Sequence, residues 1–368
     1  MIVEVGGLNR LGELARELGG SRALLVTDPG LEKAGHPQRA ERVLTEAGLA
    51  VFTFDGVKEN PTEREVTQGV ALAKQNGIDI IVAVGGGSSM DCAKGINFIL
   101  TNGGRMADYR GHGKATQPML PSIGVPTTSG TGSEAQSYAL ITDDSTHQKM
   151  ACGDKKAAFR ISILDAELTV SQPRMVTAVT GIDAVAHAIE SFVSTKANPM
   201  SQVFAATAWE HLEHHFEQVL LDPADLQSRG GMQWGAHLAG MSIEASMLGV
   251  CHSCANPLTA HYGMTHGVAI GLMLPHVIRF NAVAVESLYA KLQVPSQYAN
   301  GEPASEILAR RVTELVRAAG LPTSLKDCNV SESILSILAE EANQQWTARF
   351  NPRPVTEADL LHIYQAAL

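Results

Sequence analysis

Four side chains in the second half of the chain have the types and spacing to hold one metal ion. Asp183 and His187 stand four residues apart in TGIDAVAHAIESFVST (180–195). On an α-helix that spacing puts a carboxylate and an imidazole on one face. His252 and His266 follow, fourteen residues apart, in GVCHSCANPLTAHYGMTHGVAIGLMLPHVIRFN (249–281). The first is expected on a helix, the second at a turn or helix start. Three nitrogens and one oxygen suit a borderline divalent cation, Fe²⁺, Zn²⁺ or Co²⁺. On spacing alone such an Asp and His are more often a surface pair. Here their neighbours Ala184, Val185, Ala186, Ala188 and Ile189 are small or apolar, so the face is expected to be buried. A lone charge there is costly unless coordinated or paired.

Two glycine-rich loops in the first half have the chemistry to bind phosphate. Val84 leads into Gly85-Gly86-Gly87-Ser88-Ser89, where absent Cβ atoms let a diphosphate approach backbone amides and the positive end of a following helix. IGVPTTSGTGSE (123–134) combines Gly130 and Gly132 with the hydroxyls of Thr127, Thr128, Ser129, Thr131 and Ser133. Neither is a GxGxxG fingerprint or a GxxxxGK[ST] loop, so nothing supports an NTPase. Either loop alone is as often a tight turn, but two on one sheet favour a dinucleotide. Asp28, at the end of the first expected strand, is placed to bind a ribose 2′-hydroxyl and repel a 2′-phosphate, which favours NAD over NADP.

The elements that must position these groups change character near SQPRM (171–175). Before it, β-rich runs such as ALLVTD (23–28), VFTFDGV (51–57) and IDIIVAVG (78–85) alternate with helical stretches such as EREVTQGVALAKQNG (63–77). Strand, turn and helix in series imply a parallel sheet covered by helices. After it, long helical patterns dominate. The chain is expected to form an α/β domain over 1–172 and an all-α domain over 173–368.

Composition narrows the classes of partner. A net charge of −10 with no basic patch excludes nucleic acid and an anionic membrane surface. No apolar run reads as long enough to span a membrane, and MIVEVGGLNR lacks the layout of a signal peptide, so a cytoplasmic location is expected. The five cysteines are odd in number and scattered, as free thiols are. Cys251 and Cys254 read as small buried helix residues rather than as half of a zinc site.

Taken together, GGGSSMDCAKGI (85–96), PTTSGTGSE (126–134), DAVAHAIESFVST (183–195), THGVAIGLMLPHVIRFN (265–281) and NPRPVTEADL (351–360) resemble the iron-containing (group III) alcohol dehydrogenases. The resemblance covers nearly the whole chain, and these motifs at these separations are highly specific. It implies a Rossmann-like N-terminal domain, an all-α C-terminal domain in a dehydroquinate synthase-like architecture, and a catalytic metal in the cleft between them. It carries the metal ligands onto Asp183, His187, His252 and His266, with Fe²⁺ as the metal and Zn²⁺ as the alternative. Around NAD it places Asp28, Asn60, Gly85, Gly86, Gly87, Ser88, Thr127, Thr128, Thr131 and Lys149. It also implies a homodimer, although the chain starts after the opening strand that often helps dimer contacts in relatives.

One departure bears on the chemistry. Many relatives carry a histidine four residues after the third ligand, in a pattern like HAMAH, where this chain reads His252-Ser-Cys-Ala-Asn256. Asparagine can hydrogen-bond a substrate or water but cannot titrate near neutrality. Asn256 and His261, read as lying on the same loop, are therefore the candidates for substrate contact and proton relay. The expected activity is hydride transfer between NAD(H) and a small alcohol or aldehyde. Alternatives are a hydroxyacid–oxoacid transhydrogenase, a reductase for phosphonate- or carboxylate-bearing aldehydes, and a non-catalytic nucleotide-binding protein.

Overall fold

The alternating first half folds as a six-stranded, wholly parallel sheet. The computed structural model describes residues 1–146, 148–292 and 301–368. Strands β1 (Ile2–Val3), β2 (Arg22–Val26), β3 (Ala50–Phe54), β4 (Ile80–Gly85), β6 (Ser122–Pro126) and β9 (Ile161–Leu164) lie in the order β1-β9-β6-β4-β2-β3. Strands β5 (Gly111–His112), β7 (Tyr138–Thr142) and β8 (Lys149–Gly153) form a separate three-stranded sheet.

Helices cover the main sheet on both faces, which is why β4 reads as an unbroken apolar run and is buried throughout. Leu11, Leu14 and Leu44, from α1 (Leu11–Glu17) and α2 (His36–Glu46), pack with Ala23, Leu25, Ile80 and Val82. The alternate residues Leu24, Val26, Ile81 and Ala83 point the other way, to Val66, Val70, Ala93 and Ile96 of α3 (Glu63–Asn76) and α4 (Gly87–Asn102). Thr62 and Glu65 close a capping box at the start of α3, and Gly77, at φ +56°, ends it. Strand order reverses between β2 and β4, so their carboxyl ends flank the crevice where such sheets bind ligands.

After the single turn α5 (Glu167–Val170), the described residues are helical or irregular: α6 (Arg174–Val193), α7 (Pro199–Leu221), α8 (Leu226–Ala245), α9 (Val250–Tyr262), α10 (His266–Tyr289), α11 (Ala304–Ala318), α12 (Leu335–Asn343) and α13 (Glu357–Ala367). Residues 1–128 with 132–172 form one compact unit, and 129–131 with 173–368 the other. Helix α6 is buried on nearly every side from Thr177 to Val193 because α7, α8 and α10 pack against it, and Asp183, His187 and Glu190 are the charged or titratable groups enclosed with it.

One expectation needs correction. By length and mean hydropathy, 1.3 and 1.7, α6 and α10 do reach the span of a membrane, yet 89% and 61% of those windows lie buried inside the protein. They are core helices. At the sheet edge β1, two residues long, pairs with β9.

Candidate active site

In the helical unit the four suspected ligands converge. Asp183 and His187 share the inner face of α6, His252 lies in the first turn of α9, and His266 is the first residue of α10. Asp183 Oδ1 is 3.4 Å from His187 Nε2, 3.4 Å from His252 Nε2 and 3.6 Å from His266 Nε2. The rings of His187 and His252 stack at 4.9 Å, and that of His266 tilts against His252 at 5.4 Å. Close packing makes this possible, since a Cβ on Gly267 would sit 2.0 Å from the Val179 carbonyl of α6.

The residues fit a metal. Asp183 Oδ1 and His252 Nε2 are buried, face each other at 3.4 Å, and have no hydrogen-bond partner among the described residues. Polar atoms left so inside a protein are costly unless something else binds them. On its other side His252 Nδ1 hydrogen-bonds to Glu190 Oε2, while Glu190 Oε1 accepts from the Cys251 amide at 2.7 Å. With the proton on Nδ1, the Nε2 lone pair faces the cluster, as in carboxylate–histidine–metal arrangements.

Electrostatics agree with the geometry. Burial pushes the Asp183 carboxyl up, but the surrounding imidazoles, His187 foremost, hold it well below the usual carboxylate range. Burial opposes charge on His252, yet the Glu190 and Asp183 carboxylates outweigh it and raise its pKa to about 9, whereas burial lowers that of His187. Two buried carboxylates call for compensating positive charge, which a proton on His252 or a divalent cation can supply.

The two relay candidates lie differently. His261 is on the last turn of α9, not on a loop, nine residues past His252 and about 13 Å further along the axis. Its Nε2 lies 2.9 Å from both carboxylate oxygens of Glu341, so the structure does not bring it to the cluster. Asn256 is one turn beyond His252 on the same face and donates to Gln345 Oε1 at 3.1 Å.

In the α/β unit the suspected cofactor residues gather at the carboxyl ends of β2, β4 and β6. Asp28 Oδ1 accepts from the Gly30 amide at 3.0 Å, and its Oδ2 from Ser89 Oγ at 3.2 Å. A Cβ on Gly85, at φ +159°, would lie 2.3 Å from Ser89 Oγ, so the turn needs glycine there, and one on Gly86 would press on Thr128 Cγ2 at 3.3 Å. Helix α4 starts at Gly87 with no side-chain cap, leaving its first amides for a ligand. Thr127 N donates to Gly85 O at 2.9 Å, and Asn60, at φ +54°, donates its amide to Ser88 Oγ at 3.3 Å. The structure thus groups Asp28, Asn60, Gly85, Gly86, Gly87, Ser88, Thr127 and Thr128. Thr131 falls in the 129–131 stretch that clusters with the helical unit, and Lys149 is exposed at the start of β8.

Two groups escaped the sequence reading. Glu190 stands three residues after His187 in an otherwise apolar run, and that isolated acid was the available signal. Lys94 is similarly out of place in the buried face of α4. Its ammonium donates to Ser133 O at 2.7 Å, Ser133 Oγ at 2.8 Å and Tyr138 O at 2.6 Å, bracing the second glycine-rich loop.

Comparison with known proteins agrees with this geometry. Residues 1–166 match the family model for iron-containing alcohol dehydrogenase, and 177–368 that for the C-terminal region of the Fe-containing alcohol dehydrogenase family. The chain is 36% identical to the 1,3-propanediol dehydrogenase of Klebsiella pneumoniae, covering 97% of this chain and 94% of that one. It is 32% identical to the NAD-dependent methanol dehydrogenase of Bacillus methanolicus, over 100% and 97%. The crystal structure of a 1,3-propanediol oxidoreductase superposes with a TM-score of 0.95 at 34% identity, covering 100% of this chain and 97% of that one.

Proposed function

The chain belongs to the iron-containing alcohol dehydrogenase family, and from that premise we propose that it interconverts short alcohols and aldehydes with NAD(H), using a metal held by Asp183, His187, His252 and His266. The observation that carries this reading is the convergence of three imidazoles on the buried Asp183 Oδ1. A divalent metal would polarise the oxygen of the bound carbonyl or alcohol while the nicotinamide exchanges hydride at the adjacent carbon.

The chain's own residues do the rest. Glu190 holds His252 in the tautomer that presents Nε2 to the cluster. The Gly85–Gly87 turn and the amides of α4 seat the diphosphate, and Asp28 receives the ribose hydroxyls. A 2′-phosphate beside the Asp28 carboxylate would be repelled, which supports NAD. Asn256 orients the substrate or a water without titrating, so the proton is exchanged with water rather than with a side chain there. His261, bonded to Glu341, is left out of the route.

The family name supports iron, and the same ligand set accepts zinc. Five free cysteines, four of them buried, support a reducing cytoplasmic setting. The homodimer implied by the resemblance is checked by sedimentation.

Initial rates with short alcohols, diols, acidic aldehydes and simple aldehydes, each with NAD(H) and NADP(H), test the proposal. Turnover with short alcohols or diols and their aldehydes, faster with NAD(H), is expected. Preference for acidic aldehydes would move the substrate class, and no turnover with any of them would sink the reading.

A further inference from the structure

Helix α9, which carries His252, begins at a residue that cannot cap it. Gly249 has no side chain, and a Cβ there would lie 3.0 Å from both Asn351 Oδ1 and Glu190 Oε1. Those two side chains cap the helix from outside. The Val250 amide donates to Asn351 Oδ1 at 3.4 Å, and the Cys251 amide to Glu190 Oε1 at 2.7 Å.

Asn351 is in turn fastened to α10. Asn281 Nδ2 donates to Asn351 Oδ1 at 3.1 Å, and Asn351 Nδ2 donates back to Asn281 Oδ1 at 2.7 Å. Asn351 Nδ2 also donates to Arg353 O at 2.7 Å, so both its donors and both its acceptor sites are used. Arg353 Nη1 donates to Phe280 O at 2.9 Å, and its guanidinium lies 3.9 Å from the centre of the Phe280 ring. Asn281 and Asn351 are 2% and 3% exposed, so each amide bond is made away from water. A buried pair satisfied in this way holds one geometry, and losing one member leaves its partners unpaired.

We propose that the Asn281–Asn351 pair is a positioning latch for the metal centre. It sets the first turn of α9, and with it His252, against α10, which carries His266, while Glu190 sets the same turn against α6, which carries Asp183 and His187. The three helices that supply the ligands are held in register from behind. The inference rests on the metal reading of the cluster and assigns a role to two residues that touch no ligand.

The test uses the full chain, stripped of metal and titrated with Zn²⁺ in competition with a chromogenic chelator. Melting temperatures are taken with and without the metal. N351D keeps the Oδ1 acceptor and replaces the Nδ2 group, with both its donated bonds, by a second oxygen. Its Zn²⁺ affinity is expected to fall about tenfold or more, as it does when groups that orient metal ligands are removed. The metal-induced rise in Tm should shrink while NADH affinity stays unchanged. N281D, which keeps its acceptor for Asn351 and loses the return donor, decides the matter in the same way if N351D does not fold. Equal loss of Tm with and without metal, at unchanged Zn²⁺ affinity, overturns the latch. Failure of the unsubstituted protein to bind Zn²⁺ overturns the metal reading and the latch with it.

Discussion

Glu190 shows what a residue-level reading can and cannot reach. Asp183 and His187 were legible because their spacing is local. Glu190 was not, because the partner that gives it meaning, His252, lies sixty-two residues on. Glu190→Gln keeps the shape of the side chain and removes the charge that orients His252. Metal affinity should fall about 10–100-fold by chelator competition, and an unchanged constant would remove Glu190 from the site. Asp28 makes a second test. Asp28→Ala should raise the kcat/KM ratio of NADPH to NADH, whereas a constant ratio would mean that this carboxylate does not choose the cofactor. Asp79 tests a pH effect away from the site. Burial would raise its carboxyl, but the Ser21 hydroxyl and the Ser21 and Arg22 amides hold it below the usual range. A carboxylate with a depressed pKa contributes stability that is present above its unfolded pKa and lost as pH falls through the folded one. Asp79→Asn should therefore flatten the acid limb of a Tm-against-pH profile below about pH 4, and an identical limb would contradict the assignment.

At the scale of elements, the sequence announced those with a clear period or clear punctuation. Helix α3 was legible from its apolar spacing and Gly77, and β4 from its unbroken apolar run before three glycines. Helix α6 shows little period-3.6 contrast because it is buried on nearly all sides, so apolar residues are not confined to one stripe. Asn256 and His261, expected on a loop, lie on α9, which continues through Pro257 although proline normally breaks the helical hydrogen-bond ladder. The two-residue β1 is too short to carry a pattern, and its partner β9 comes about 160 residues later. Gly267, at the first turn of α10, was legible as a glycine but not as a point of contact. Gly267→Ala would drive a Cβ into the Val179 carbonyl and push His266 away from α6. Such overpacking should cost about 1–3 kcal/mol, read as a fall in Tm together with loss of bound metal. Unchanged metal content would show that the close approach of α10 to α6 is not what places His266.

For the whole molecule, the two kinds of chemistry are built by different physics in different units. The Gly85–Gly87 turn at the switch point of a parallel sheet belongs to the α/β unit, whereas residues 129–131 of the second glycine loop group with the helical unit, which holds the N₃O cluster. Repeating strand, turn and helix made the first legible. The second was legible as four ligands but not as the buried frame of Glu190, Asn281 and Asn351, because those contacts span 61 to 101 residues. The claim joining both units is metal-dependent, NAD-linked turnover, and one measurement tests it most directly. The protein is stripped with a chelator, reloaded anaerobically with Fe²⁺ or Zn²⁺, and followed by NADH oxidation with a short aldehyde, beside His266→Ala treated identically. No turnover is expected when the protein is stripped, recovery on reloading, and little or none in the variant. Full turnover by the stripped protein, or an unimpaired His266→Ala, would contradict that claim.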